Sequence, residues 1–256
     1  MSPWIDRKVL IKNTRKFVEA HGLFLRRNGR RISSLVEISV YNSIVQYYES
    51  LDFQVTGENL GPKRSFRYKL TATGLAENHS YFTAKKDSVT FHILHNIRIQ
   101  SAHHGHLYFT PDVVVANENG ATTTKLKNGR RHSFVANPDL VTFAEVKHLN
   151  PFPEVLFGFT GLLLEFMPGF VDKTYLIANS GNQLCPVIAF TGPGSAHVEV
   201  IQEELAKRYA INIVFSTSST YGELSGFAAM KKYTKPNNAS AEPVPTARSV
   251  DSPSTK

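Results

Sequence analysis

The stretch LVTFAEVKH, residues 140–148, decides the fold, because it combines an apolar strand with charged side chains on one face. Side chains alternate between the two faces of a strand, so Glu145 and Lys147 should project from the same side. Val141 and Phe143 should share that face, which predicts that the Glu145 carboxylate is partly buried. A partly buried acid requires a cation or a hydrogen-bonding partner.

A second apolar run, YFTPDVVVA at residues 108–116, places Asp112 in a Pro-Asp pair. Carboxylate and carbonyl oxygens are the ligands that suit Mg²⁺ and Mn²⁺. Asp112 and Glu145 would supply carboxylates, and the Val146 carbonyl oxygen would be free to join them. Lys147 would lie beside the ion, where a cation can orient water or stabilise charge on a phosphate. The two runs together predict one divalent-metal site.

This pattern resembles the motif of the PD-(D/E)XK nuclease superfamily, over residues 34–216. The resemblance implies an α/β fold with a restriction-endonuclease-like three-layer core, in which helices flank a mixed central β-sheet. It implies that Asp112, Glu145 and Lys147 are catalytic, with Mg²⁺ or Mn²⁺ as cofactor. Such families often carry a further acid on the helix before the sheet, and Glu37 is the candidate here.

The function implied is metal-dependent hydrolysis of phosphodiester bonds, in a defence, recombination, transposition or repair setting. DNA is the expected substrate, and the residues do not exclude RNA. The alternative is a non-catalytic nucleic-acid-binding or assembly subunit with a nuclease-like fold; the intact set of two acids and a lysine argues against it. Because one site usually needs two copies to cut both strands, a homodimer or a larger nucleoprotein complex is compatible with this function.

A rival Pro-Asp pair ends at Asp139, only six residues before Glu145, which leaves little room for a turn. The sequence therefore favours Asp112. Its distance from Glu145 then requires an inserted loop or hairpin at 117–137, where two Asn-Gly pairs favour turns. The insertion is basic, and it is either a solvated hairpin or a contact to a phosphate backbone, through Lys125, Lys127, Arg130 and Arg131.

Positive charge is concentrated in the basic N-terminal region, residues 1–33. The chain has a formal net charge of +8, and its first 34 residues contain nine Lys and Arg against two acids. Such a segment can bind phosphates by releasing counterions. It is either a solvated helical arm or a nucleic-acid contact, for which the candidates are Arg26, Arg27, Arg30 and Arg31.

Two further motifs have simpler interpretations. The tract His103, His104 and His106 could bind Zn²⁺, but no further Cys or His is suitably spaced, so we expect these histidines to line a loop near the site. The segment TGPGS, residues 191–195, joins a strand to a helix. We predict a tight turn there, with Ser195 as the helix N-cap.

Composition indicates one moderately large domain, since 41% of the 256 residues are hydrophobic. Cys185 is the single cysteine, so we expect a reducing, cytoplasmic location. No apolar run reaches the ~18 residues that a membrane span needs, so no membrane partner is expected.

The hydrophobic patterns predict three helices, at 34–50, 153–167 and 196–209. They predict further strands in addition to those of the two motifs, at 53–55, 67–72, 80–85, 89–100, 174–178, 186–190 and 211–215. Residues 34–216 would form the core domain, and residues 217–256 a mostly disordered tail rich in Pro, Ser, Asn and Ala.

Overall fold

The computed structural model describes residues 32–125, 129–170 and 184–216, and it has a mixed α/β structure. The described helices are α1 Ile32–Glu49, α2 Pro153–Phe166 and α3 Ala196–Arg208. The described strands are β1 Gln54–Glu58, β2 Tyr81–Lys86, β3 Val89–His95, β4 Arg98–Gln100, β5 Tyr108–Phe109, β6 Val113–Ala116, β7 Thr122–Lys125, β8 Arg131–Val135, β9 Leu140–Lys147, β10 Val187–Phe190 and β11 Asn212–Val214. The strand predicted at 174–178 and the regions 1–31 and 217–256 lie outside the described residues.

The central sheet has seven strands in the order β1-β2-β3-β6-β9-β10-β11. The pairs from β1 to β9 are antiparallel, whereas β9, β10 and β11 run parallel, so the sheet is mixed. One face packs against α1, and the other against α2 and α3. The predicted mixed sheet between helices is confirmed. None of the helices in the described part of the chain is long and apolar enough to cross a membrane.

Helix α1 forms because its apolar residues recur every three or four positions, which places them on one side of a helix. Ile38, Tyr41, Val45 and Tyr48 are all buried against the sheet. The Tyr41 hydroxyl donates a hydrogen bond to the Ile93 carbonyl oxygen at 2.8 Å, which fixes the helix to β3. These contacts determine where Glu37, one turn before Tyr41, meets the sheet.

A second sheet, in the order β5-β4-β8-β7, begins where the chain leaves the first at Asn96. The single strand predicted over 89–100 is therefore wrong, because it is broken between β3 and β4. Asn96 has φ of 52°, a left-handed conformation that asparagine tolerates better than most residues. Its N–H donates to the Asp112 carbonyl oxygen at 2.9 Å, so the corner is tied to the Pro-Asp motif.

The strand predicted over 67–72 is also absent. This segment is held by contacts with side chains, because the Arg67 N–H donates to Ser80 Oγ at 3.0 Å and Asn96 Nδ2 donates to the Lys69 carbonyl oxygen at 3.0 Å. Bonds of this kind satisfy the backbone without a sheet ladder. An apolar-rich pattern could not distinguish them from strand pairing.

Residues 117–137 contain an antiparallel hairpin of β7 and β8, with Thr122 opposite Phe134. The base of the hairpin is closed by Asp139, which accepts hydrogen bonds from Asn117 Nδ2 at 2.9 Å and Asn119 Nδ2 at 2.6 Å. The rival Asp139 therefore has a structural role at the base of the hairpin.

The stability of the packing beneath α2 can be tested with two adjacent leucines. Leu163 is 0% exposed and Leu164 is 52% exposed. We expect Leu163→Ala to lower the free energy of unfolding by about 2–5 kcal/mol, because it removes buried methyl groups and leaves a cavity. Leu164→Ala should change it by less than ~1 kcal/mol. Urea unfolding followed by circular dichroism would measure both, and equal effects would contradict this packing.

Candidate functional site

The register of β6 and β9 brings the two acidic motifs together at one end of the central sheet. Val113 lies opposite Ala144, so Asp112 and Glu145 are neighbours across the two strands. The Val146 N–H donates to Asp112 Oδ2 at 2.6 Å, which links the motifs directly. The sequence suggested only the carbonyl oxygen of Val146 as a functional group, and the N–H contact depends on a register that spacing does not reveal.

Glu145 is buried, with 8% of its surface exposed. Its Oε1 is ion-paired with Lys147 Nζ, whereas its Oε2 is buried without a hydrogen-bond partner. A buried carboxylate oxygen without a partner is costly, and in native proteins it commonly marks a place for an ion or water. The predicted shared orientation of Glu145 and Lys147 agrees with this pairing.

One part of the face prediction is wrong. Phe143 packs in the cluster beneath α2, but Val141 packs in the cluster with α1. The register of β6 and β9 shifts between Val115 and Ala116, so strict alternation fails along β9. A β-bulge inserts an extra residue and moves the side chains that follow to the other face.

Glu37 projects from α1 toward the same end of the sheet. Its Oε2 lies 4.0 Å from the Nε2 of His95, which is buried. Burial lowers the pKa of His95 to about 3, so its imidazole is neutral at physiological pH. His95 was missed at the sequence level. Alternation along β3 places it on the same face as the buried Ile93, and this pattern was the available signal.

Burial and neighbouring negative charge raise the pKa values of both Asp112 and Glu145. Burial and the Glu145 charge raise the pKa of Asp112 to about 8, against the opposing hydrogen bond from the Val146 N–H, and Glu37 raises it further. Burial and Glu37 raise the pKa of Glu145, against the opposing effect of Lys147. The pair therefore favours a bound proton, or another positive charge, at neutral pH.

The residues at this end of the sheet suit a hard divalent cation. Asp112 and Glu145 offer carboxylate oxygens, and Glu145 Oε2 has no partner. Within residues 32–125, 129–170 and 184–216, no three His, Cys, Asp or Glu side chains form a metal-binding group. Two carboxylates are sufficient for Mg²⁺, which commonly retains waters or substrate phosphates as its other ligands.

The predicted nucleic-acid contacts are only partly within the described residues. Lys125 lies opposite Arg131 at the end of the hairpin far from Asp139, and Arg130 is exposed there. Arg131 Nη2 is ion-paired with Glu77 at 2.8 Å, so part of its charge is neutralised by the protein itself. The remaining candidates lie outside the described residues: Arg26, Arg27, Arg30, Arg31 and Lys127.

The two other motifs have defined positions. In the histidine tract, His103 Nε2 lies 2.9 Å from the Leu164 carbonyl oxygen at the end of α2. No zinc-binding group forms from this tract in the part of the chain that the structure describes. Ser195 is the N-cap of α3, where its hydroxyl oxygen accepts from the Val198 N–H at 3.4 Å, as predicted.

No protein-family model, curated protein or solved structure matches this chain. Its function must therefore be inferred from the chemistry of its own residues.

The raised pKa of Asp112 predicts how stability depends on pH. Below about pH 4 the carboxyl group is protonated in both the folded and the unfolded state. As the pH rises from there toward about 8, the unfolded state loses the proton first, so the stability due to this group is lost. We expect Asp112→Asn to flatten the dependence of the unfolding free energy on pH, in metal-free urea titrations between pH 4 and 8.

Asp87→Asn is the matched control, because Asp87 is exposed in a turn with φ of 52° that asparagine adopts readily. It should leave the pH dependence as in the wild type. A wild-type slope retained in Asp112→Asn would contradict the predicted protonation of Asp112.

Proposed function

We propose that this protein is a Mg²⁺- or Mn²⁺-dependent nuclease of the PD-(D/E)XK type, with a restriction-endonuclease-like core, and that it hydrolyses phosphodiester bonds in DNA. The observation that carries the proposal is the adjacent pair Asp112 and Glu145, joined by the Val146 N–H and accompanied by Lys147. Each of these groups has a use in phosphodiester hydrolysis.

Asp112 and Glu145 would hold the cation, since their mutual repulsion is relieved by a positive charge between them. A divalent ion held by these residues would supply charge neutralisation for the phosphate and a more acidic water. The Val146 N–H keeps the Asp112 carboxylate oriented while its other oxygen remains for the ion. Glu37 would contribute negative charge beside the pair and support the metal shell or a second ion.

Lys147 would have two successive partners. Without substrate its ammonium group is paired with Glu145 Oε1. Glu145 would share its charge with the ion it holds, so the Lys147 ammonium would be free to donate to a phosphate oxygen or to orient the attacking water. Lys147 would thus stabilise the negative charge that develops on the phosphate.

The choice of nucleic acid as substrate is supported by charge. The chain has a net charge of +8, and Lys125 and Arg130 are exposed on the hairpin. A positive surface attracts a polyanion and releases its counterions. The single cysteine fits a reducing compartment such as the cytoplasm.

A second candidate is a non-catalytic nucleic-acid-binding or assembly subunit. It is favoured by the ion pair of Lys147 with Glu145, which in a purely structural site would neutralise the buried acid permanently. The two candidates differ in one respect: only the nuclease requires Asp112 and Glu145 to bind a metal ion.

Cleavage and metal binding should be measured on the same variants. We expect the full chain to cleave plasmid, linear or single-stranded DNA with Mg²⁺ or Mn²⁺ and to be inactive in EDTA. Asp112→Asn, Glu145→Gln and Lys147→Met should each lower the rate by about 10²-fold or more, since each removes an electrostatic contribution to the reaction. Calorimetry should show that Asp112→Asn and Glu145→Gln also lose Mg²⁺ binding, whereas Lys147→Met retains it.

Glu118→Gln is the matched control, because Glu118 is an exposed acid on the loop after β6. It should cleave at the wild-type rate. Nucleic-acid binding without metal binding or cleavage of DNA or RNA would refute the nuclease and support the second candidate.

A further inference from the structure

A turn with two cations and an unusual backbone follows β1. Lys63 and Arg64 are consecutive residues with φ of 56° and 57°, a left-handed conformation that most residues other than glycine rarely adopt. Both side chains are exposed. The turn is closed by the Gly61 N–H, which donates to the Ser65 carbonyl oxygen at 2.7 Å. The fold therefore holds two cations at the tip of a constrained turn.

Arg67 is a third exposed cation beside this turn. A Cβ atom at Gly61 would lie 3.1 Å from Arg67 Cδ, so the Arg67 side chain packs against the turn. Its Nη2 donates to the carbonyl oxygen and to the side-chain oxygen of Asn59, both at 3.0 Å. Because these acceptors are uncharged, the guanidinium keeps its positive charge.

Lys63, Arg64 and Arg67 together are the basic turn, and no acid neutralises it in the part of the chain that the structure describes. None of the three side chains forms an ion pair there. The nearest acid along the chain, Glu58, accepts instead from the Thr56 hydroxyl at 2.9 Å. Exposed cations without acidic partners attract a polyanion.

The strand pairing places the basic turn at the same end of the central sheet as the two acids. Glu58, at the end of β1, pairs with Tyr81, at the beginning of β2. Since β2 and β3 are antiparallel, β2 begins at the end of the sheet where β3 ends. His95, the last residue of β3, pairs with Val113, the residue after Asp112. The chain therefore leaves β1 and enters the basic turn at the end where Asp112 lies.

The segment after the turn runs across the strand ends toward Asp112. The Arg67 N–H donates to Ser80 Oγ at 3.0 Å, next to the beginning of β2. Two residues later, Lys69 Nζ donates at 2.7 Å to the carbonyl oxygen of Asn96, the residue after β3. The Asn96 N–H donates to the Asp112 carbonyl oxygen at 2.9 Å. A continuous series of contacts thus connects the basic turn to the Pro-Asp motif.

The distance between the basic turn and the acids suits a nucleic-acid backbone. In the order β1-β2-β3-β6-β9, the strands next to the turn are two to four strands away from those next to the acids. Neighbouring strands are about 4.8 Å apart, so the separation along the sheet is about 10–20 Å. One strand of a duplex advances about 3.4 Å per nucleotide, so roughly three to six nucleotides cover this distance.

We propose that the basic turn binds the phosphate backbone of the nucleic acid, about three to six nucleotides from the phosphate that is cut. The proposal rests on the proposed function for the identity of its ligand. It goes beyond that function by assigning a substrate contact to a turn outside the two acidic motifs. It also states on which side of the acids the bound strand lies.

Binding can be measured in the full chain with Asp112→Asn present, so that nothing is cleaved. The probes are a duplex and a single-stranded oligonucleotide, both longer than the span above, followed by fluorescence anisotropy. Lys63→Asn and Arg64→Asn together should weaken binding of the probes by roughly tenfold and reduce the slope of log K against log salt for the duplex by about 1.8, the value for two lost phosphate contacts. Arg64→Asn alone should weaken binding by roughly threefold.

Lys85→Gln is the matched control for Arg64→Asn, because it removes the same charge at the opposite end of the sheet. Lys85 is exposed on β2 and pairs with Gln54, at the beginning of β1. Its substitution should leave the affinity for both oligonucleotides unchanged. Asparagine adopts a left-handed conformation more readily than lysine or arginine. The thermal midpoint of the double variant should therefore be equal to or above that of the parent, which excludes misfolding as the cause of weaker binding.

Parent affinity in the double variant would overturn the proposal. So would equal losses in Arg64→Asn and Lys85→Gln, because net charge and not position would then determine binding. A parent chain that binds neither oligonucleotide would overturn it as well. Failure of the nuclease proposal is recognised separately, by the absence of metal-dependent cleavage in the chain with Asp112 intact while the double variant still weakens binding.

Discussion

The hydrogen bond from the Val146 N–H to the Asp112 carboxylate is the contact on which the candidate site depends. It connects two strands at the point where two acids oppose each other. The acids cannot move apart, because Val113 and Ala144 behind them are fully buried in the sheet. The fold thereby keeps two repelling carboxyl groups together, which lowers its stability. Such a loss of stability is common at functional sites.

Asn96 joins the parts of the molecule that surround the pair Asp112 and Glu145. Its backbone turns the chain from the first sheet to the second, its N–H holds the Asp112 backbone, and its side chain and carbonyl oxygen both bond to Lys69. The corner is an exception to regular strand geometry, and its left-handed φ is stabilised by contacts on three sides. The contacts of Asn96 therefore stabilise both the junction of the two sheets and the backbone of the Asp112 motif.

The sequence predicted the features that depend on local pattern. Periodicity gave α1, α2 and α3 to within two residues at each end, and alternation correctly placed Glu145 and Lys147 on one face. The α/β class also follows from the order of the elements, whereas the mixed sheet was implied by the resemblance to a nuclease family. Local patterns of this kind depend only on neighbouring residues, so they can be recognised without knowledge of the tertiary structure.

The features that the sequence did not predict depend on contacts between distant residues. The break at Asn96 is stabilised by Lys69, 27 positions away. The displacement of Val141 follows from the register of β6 against β9. The Val146 N–H and His95 acquire their roles only when strands are paired. Strict alternation and spacing carry no information about such pairings, which is why the carboxylates could be identified but not their neighbours.

Because the base of the β7–β8 hairpin is closed, the length of the hairpin does not determine the positions of Asp112 and Glu145. Ala116 and Leu140 are paired in the central sheet, and the Asn117 N–H donates to the Asp139 carbonyl oxygen at 2.9 Å just beyond them. The ends of the insertion are thus already together, and the entropy of closing a loop grows only slowly with its length. The hairpin can therefore be exchanged for a longer or shorter one in evolution or by design, which would allow the contacts to a ligand to change while the two carboxylates keep their positions.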